Sequence, residues 1–292
     1  MAQFLLSAFA DEVSPDLEKQ IEALQRNGIR YLEPRNISGG ILTKTEEELY
    51  AIRARLDEAG IGISSLGSPI GKYNITDDFE PYKEEFRKAI KACKILGTHR
   101  MRIFSFFVET PDLEKYRDEV HRRMEWLLDE AEKEGILLCH ENESKIYGQN
   151  PDEVADLLKT HPRLKGIFDA ANYVREGQDP VKGIDVTLPS LEYVHVKDAS
   201  YPDRKIWPAG MGQGDYEGAL RKVDAACDGT VFLTLEPHLY VFDAYKSIDH
   251  HKLKVGVLYD SPDDAFDGAA THLKNLLTKL GYHEEENKLW KK

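Results

Sequence analysis

Gly135–Ile136–Leu137–Leu138–Cys139–His140–Glu141–Asn142–Glu143–Ser144 passes from a glycine through four apolar residues and ends on carboxylates. An unbroken apolar run of this length reads as a strand buried on both faces, the kind found in parallel sheets. Such a strand delivers its last residues to the carboxyl edge of the sheet. In a closed barrel of parallel strands that edge is the floor of the active site, so Glu141 is expected to point into a pocket. The fold then follows if other strands end in the same way.

Upstream, Phe4 to Phe9 is a short apolar strand, and Ser14 with Pro15 supplies an N-cap and a first-turn proline for a helix carrying Leu17, Ile21 and Leu24. Gly28 ends that helix, and Ile29 to Leu32 makes a second strand that closes on Glu33. Thr45 and Glu48 form a capping box for a helix with Leu49, Ile52 and Leu56 on one face, ended by Gly60. Ile61 to Leu66 is a third strand. A helix near Pro81 to Leu96 is closed by Gly97, Met101 to Phe104 is a fourth strand, and a long helix from Pro111 to Glu134 runs into Gly135. Four times, then, an amphipathic helix ends in a glycine and an apolar strand begins within a few residues. Downstream the period continues. Asn150, Pro151 and Glu153 start a helix, Lys165 to Phe168 is a strand ending in Asp169, Leu191 to Val196 is a strand containing His195, and Val231 to Leu235 ends in Glu236. A last helix runs from about Asp264 to Leu280.

Eight strands, each followed by helical or loop material, point to an α/β fold and a single (β/α)8 TIM barrel spanning residues 1–292. A doubly wound open sheet would want fewer strands and a phosphate fingerprint, and the Gly210–Met211–Gly212–Gln213–Gly214 run does not qualify, because it follows no strand directly. A long insertion at about 238–262, aromatic at Tyr240, Phe242 and Tyr245, exceeds an ordinary βα loop and reads as a lid or an oligomer contact.

The bulk numbers narrow the function classes. With 41% hydrophobic and 31% charged residues, the composition is that of an ordinary globular enzyme, and no apolar run approaches a membrane span. The N-terminus lacks the basic flank and cleavage pattern of a signal peptide, so a cytoplasmic location is expected. Cys93, Cys139 and Cys227 are scattered and odd in number, which reads as reduced, structural thiols. A net charge of −13 repels a phosphate backbone, so neither nucleic acid nor membrane is an expected partner.

Collected at the carboxyl ends of the last four strands are Glu141, Asp169, His195 and Glu236. Three carboxylates and an imidazole converging in a barrel mouth repel one another by several kcal/mol unless a cation joins them. An oxygen-rich set with one nitrogen suits one divalent ion, Mn²⁺, Mg²⁺ or Co²⁺, with Zn²⁺ also open. Singly, each residue also has a plain structural reading: Asp169 as a turn cap, His195 as a core histidine, either glutamate as a solvated loop charge.

The pattern of Leu138-Cys139-His140-Glu141, Phe168-Asp169-Ala170-Ala171-Asn172, Val194-His195-Val196-Lys197-Asp198 and Leu235-Glu236-Pro237 resembles the xylose isomerase-like TIM barrels, specifically the sugar phosphate isomerase/epimerase group. The resemblance spans nearly the whole chain and rests on the order and spacing of short motifs. It implies that Glu141, Asp169, His195 and Glu236 ligate the metal and that Glu141 and Glu236 are also the catalytic acid/base pair. Asn172 stands where many members carry a histidine, and Tyr201 where epimerases of free ketoses often place an arginine. Lys197 and Asp198 match the wider group. Substrate contacts are expected from Asn172, Lys197, Glu33 and Trp207, and Phe104, Phe106 and Tyr73 are further candidates to pack on a sugar face.

The chemistry this predicts is proton transfer next to a carbonyl through a metal-stabilised enediolate, that is, isomerisation or epimerisation of a small carbohydrate or its phosphate. An inosose-type dehydratase on the same site is the alternative. A metal-independent retaining glycosidase using Glu141, or Asn142 and Glu143, with Glu236 keeps the barrel but leaves Asp169 and His195 without work. An abasic-site endonuclease would need more histidines than these strand ends supply, and a non-catalytic sugar-binding barrel would bind without exchanging solvent hydrogen. The oligomeric state is left open, a homo-oligomer included.

Overall fold

The computed structural model describes residues 1–241 and 253–292. In chain order its strands are β1 (Ala2–Ala8), β2 (Tyr31–Leu32), β3 (Gly62–Ile63), β4 (Arg100–Ile103), β5 (Leu137–Glu141), β6 (Lys165–Asp169), β7 (Leu191–Val196), β8 (Asp198–Ala199), β9 (Ile206–Trp207), β10 (Gly229–Leu235), β11 (His283–Glu284) and β12 (Leu289–Lys291). The helices are α1 (Leu17–Arg26), α2 (Glu46–Glu58), α3 (Glu80–Leu96), α4 (Leu113–Lys133), α5 (Pro151–Thr160), α6 (Ala170–Arg175), α7 (Pro180–Thr187), α8 (Tyr216–Ala226) and α9 (Pro262–Lys279).

Eight parallel strands follow one another as β4-β5-β6-β7-β10-β1-β2-β3. The ring closes where Leu66 bridges Met101 in parallel, its N–H donating to the Arg100 carbonyl at 2.9 Å. The fold is the expected (β/α)8 barrel. The β8–β9 hairpin stands on the loop after β7, and β11–β12 adds antiparallel to the amino-terminal half of β1.

Local signals placed the elements well where they were chemical. Thr45 and Glu48 do form the capping box of α2, and Asn150 with Glu153 forms another on α5. Gly28, Gly60, Gly97 and Gly135 all sit at positive φ between helix and strand. The α1 cap is a correction: Asp16, not Ser14, accepts from the Lys19 amide, and Ser14 Oγ accepts from Asp16 N instead. Strands two and three pair over only two residues each, shorter than their apolar runs, though single backbone hydrogen bonds continue beyond them at Glu33, Ser64 and Leu66. The described parts of the insertion at about 238–262 lie in loop before α9, and Phe242 and Tyr245 fall outside the described residues.

The apolar interior has two layers. A mantle of Leu, Ile, Val and Ala packs between strands and helices. Inside the barrel, Cys139 of β5, Ile167 of β6 and Tyr193 of β7 form a separate cluster, with Leu137 and Phe232 against it. This inner layer sets up the site, because each of its members is followed two residues later on the same strand face by a polar group.

Candidate metal centre

Side chains on a strand alternate between its faces, so the residue two beyond an inward apolar one also points inward, one layer higher. Cys139 is followed by Glu141, Ile167 by Asp169, Tyr193 by His195, and Phe232 by Thr234 and then Glu236. The register puts Asp169 beside His195 and His195 beside Thr234. One ligating atom from each of Glu141, Asp169, His195 and Glu236 lies within 4.8 Å of every other, and none of the four residues exceeds 3% exposure. The structure therefore brings together all four groups singled out at the strand ends.

Each is held by a specific neighbour. Asp169 caps α6, its Oδ1 accepting from Asn172 N at 3.1 Å. Asn142 pins its backbone, donating to Asp169 O at 2.9 Å and accepting from Asp169 N at 3.0 Å. Asn172 donates its side-chain amide to Glu141 Oε1 and to the Asn142 carbonyl, at 3.2 and 2.8 Å. The other oxygen of Glu141 faces Arg102 at 3.2 Å, and Glu236 Oε1 accepts from Arg35 at 2.9 Å. Arg35 is in turn fixed by both oxygens of Asp11, and the two guanidiniums lie over the Phe9 ring at 4.5 and 5.0 Å. Each glutamate thus offers one oxygen to the cluster and the other to an arginine.

Burial alone would raise both glutamates. For Glu141 this is outweighed by His195 and Arg102, which hold it at about 2. For Glu236, the charges of Lys197, His238, His195 and Arg35 keep the carboxyl well below its usual range. Asp169 goes the other way: burial, reinforced by Glu141 and Glu236, lifts it to about 7 despite Lys197. Burial opposes the charge of His195, yet Glu141 and Glu33 raise it to about 10. Burial apart, Asp169 and His195 are both pushed up because carboxylates crowd around them.

Two atoms test whether a metal ion fits. Asp169 Oδ2 and His195 Nδ1 are fully buried and have no hydrogen-bond partner, although Lys197 lies within ion-pair range of the first and Glu141 within range of the second. A buried polar atom left without a partner costs about 1–3 kcal/mol, so two in one acid cluster are not incidental. Three carboxylates and one imidazole nitrogen are donors a hard or borderline divalent ion prefers. The set fits.

A cavity of about 310 Å³ opens above Glu141 and Glu236, walled by Arg35, Asn36, Ile41, Leu42, Pro69, Lys72, Arg102, Glu143 and His238. Its basic groups are all matched: Arg35 with Asp11 and Glu236, Arg102 with Glu141, Lys72 with Glu143 at 2.9 Å.

The other expected contacts distribute differently. Glu33 is fully buried, accepting from Tyr193 OH at 2.9 Å and facing His195 Nε2 at 3.4 Å, so it lies behind the imidazole and away from the cavity wall. Trp207 donates to Ser200 Oγ, and its ring covers the backbone of Gly256. Tyr73 stacks on Tyr82 at 3.5 Å and packs against Phe106, which in turn meets Phe79 in the mantle, and Phe104 is buried beneath Lys72 and Arg102. None of these rings lines the cavity. The glycine run is also occupied within the chain, since the amides of Gly210, Gly212 and Gly214 donate to the Asp198 carboxylate at 2.8 to 3.0 Å. The nest resembles a phosphate cradle but is filled by a carboxylate of the chain itself.

Arg35, Arg102 and His238 escape a strand-by-strand reading, though the alternation that finds the ligands extends to them. Arg35 is two beyond Glu33, His238 two beyond Glu236, and Arg102 two beyond Arg100 on β4.

Compared with models of protein families, residues 21–251 match the one described as xylose isomerase-like TIM barrel. No curated protein matches the sequence. Among solved structures, the IOLI protein with a binding zinc atom superposes with a TM-score of 0.72 at 16% identity, covering 94% of this chain and 98% of that one. The probable 3-DHS dehydratase AsbF of Bacillus anthracis gives 0.71 at 15%, covering 94% and 99%. D-psicose 3-epimerase of Clostridium cellulolyticum H10, solved with D-tagatose, gives 0.69 at 15%, covering 93% and 99%. At these identities the likeness speaks to the fold.

Proposed function

The chain belongs to the xylose isomerase-like TIM barrel family, and we propose that it is a divalent-metal-dependent isomerase or epimerase of a small carbohydrate. The observation that carries this reading is the buried convergence of Glu141, Asp169, His195 and Glu236 within 4.8 Å. Those four residues would hold one Mn²⁺, Mg²⁺, Co²⁺ or Zn²⁺ ion. Bound there, the ion polarises the substrate carbonyl and offsets the charge that develops as a neighbouring C–H loses its proton.

The remaining work falls to the protein. Glu141 and Glu236 come from the ends of different strands, so the ionised one takes the proton while the other, carrying a proton drawn from solvent, returns one. Return from the opposite face inverts the centre, and return to the adjacent carbon moves the carbonyl. Expulsion of a β-hydroxyl instead gives the dehydratase outcome on the same groups. Asn172 orients Glu141, and Asn142 holds Asp169. Because every cavity cation already faces a carboxylate, the matched charges favour an unphosphorylated sugar over a sugar phosphate. Three free thiols accord with a reducing cytoplasm.

The test is deuterium exchange from D₂O into a panel of ketoses, inososes and keto-acids by the metal-loaded protein. Glu141→Gln and Glu236→Gln are each expected to lower exchange by about 10²–10⁴-fold. Full activity in either variant removes the paired role, and activity surviving exhaustive chelation removes the metal.

A further inference from the structure

Lys197 follows His195 by two residues, so the alternation of β7 carries its side chain inward above the imidazole, where it is 3% exposed. The ammonium lies 2.9 Å from Asp169 Oδ2 and 2.9 Å from Glu236 Oε2. Those two oxygens are the ones the carboxylates have to offer. Asp169 Oδ1 is committed to the start of α6 and Glu236 Oε1 to Arg35. With Asp169 the contact has ion-pair distance but no hydrogen-bond geometry, so the ammonium holds that oxygen by charge alone. A monovalent and a divalent cation cannot both sit against the same pair of oxygens, since like charges that close repel strongly in a dry site.

We propose that the Lys197 ammonium and the divalent ion compete for Asp169 Oδ2 and Glu236 Oε2, so that loading the site drives Lys197 off these oxygens and toward the cavity. This rests on the metal-dependent reading above. Glu143, at the cavity wall and paired with Lys72 at 2.9 Å, also attracts the Lys197 charge and so favours movement of the ammonium to that side. The exchange has a use: it keeps the acid cluster neutralised before loading and afterwards presents a cationic donor to a substrate oxygen. A purely structural ion pair would stay where it is when the metal enters.

The experiment is calorimetric titration of chelator-stripped protein with MnCl₂, comparing wild type with Lys197→Met and Lys197→Gln, alongside melting curves of stripped and loaded samples. Competition predicts that both variants bind Mn²⁺ at least about tenfold tighter than wild type, and that their melting deficit, present when stripped, narrows on loading. Unchanged or weaker Mn²⁺ affinity overturns the competition while leaving the metal reading intact. Wild type that takes up neither Mn²⁺ nor Zn²⁺ overturns both. Should the stripped variants fail to fold, acetylation of wild type read by peptide mass decides the matter. Lys197 is expected to label faster with Mn²⁺ present, and an equal or slower rate overturns the proposal.

Discussion

Glu33 plays a different part from the one its place at a strand end advertises. An acid there reads as a hydroxyl-binding or solvated group, yet both oxygens are spoken for inside the barrel, one by Tyr193 OH and one facing His195 Nε2. A carboxylate behind a ligating imidazole fixes the ring and raises its basicity, and losing such a partner typically costs 10- to 100-fold in metal affinity or activity. Glu33→Gln keeps an oxygen for Tyr193 and removes the charge behind His195. Its Mn²⁺ affinity by calorimetry is therefore expected to fall about 10- to 100-fold. A rise in KM with metal affinity intact would return Glu33 to the substrate. The same logic explains what was legible one residue at a time: the four ligand candidates end apolar strands and announce themselves. Arg35, Arg102 and His238 matter only after barrel closure has turned them toward the same point, and the alternation that reaches them does not say which charges will meet there.

Between elements, the clearest polar joint outside the site is Asp156 on α5. It receives Arg117 and His121 from α4 and the Tyr147 hydroxyl from the loop after β5. Burial would raise this carboxyl, but Arg117, Tyr147 and His121 together hold it well below the usual range. A depressed carboxylate contributes stability in full above its unfolded value, near pH 4, and loses it as pH falls toward the folded one. Asp156→Asn is accordingly expected to cost about 1–2 kcal/mol at neutral pH, discounted for its partial exposure, with the gap to wild type closing below about pH 4 in melting curves. A gap constant from about pH 7 to 3 would mean that shape, not charge, joins the helices. The loop after β7 makes a second joint: a Cβ on Gly212 would lie 2.4 Å from Asp198 Oδ1 and 2.5 Å from the Ala199 carbonyl. Gly212→Ala should destabilise by about 2 kcal/mol, read from chemical denaturation, and wild-type stability would show that the nest can open. Capping boxes and helix-ending glycines were readable because their chemistry spans three or four residues. The pairing of β2 and β3 over two residues, and the role of the glycine run, were not, because both depend on partners far along the chain.

At the scale of the molecule, the barrel divides its labour. The neighbouring strands β5, β6, β7 and β10 supply Glu141, Asp169, His195, Lys197 and Glu236, while Arg102 comes from β4 and Glu33 and Arg35 from the end of β2. The guanidiniums of Arg102 and Arg35 thus come from the opposite side of the ring from the ligand candidates, and a divalent ion bound among the four would tie four adjacent strands at one point. A ligand that binds only the folded state stabilises it by about 2.7 kcal/mol at a hundredfold excess over its Kd. For a chain of this size that corresponds to a rise of roughly 4–5 °C in Tm, so chelation should lower the calorimetric midpoint by that amount and Mn²⁺ restore it. The chain also carries a net charge of −13, and divalent ions collecting on such a surface stabilise it with no site at all. Salt separates the two sources. At about 0.5 M NaCl the Debye length is only a few ångströms, so exposed charges are screened while contacts buried among Glu141, Asp169, His195 and Glu236 are not. A Mn²⁺-dependent rise that persists in salt and disappears in Asp169→Ala belongs to the barrel mouth, and one that vanishes in salt with Asp169 in place belongs to the acidic surface.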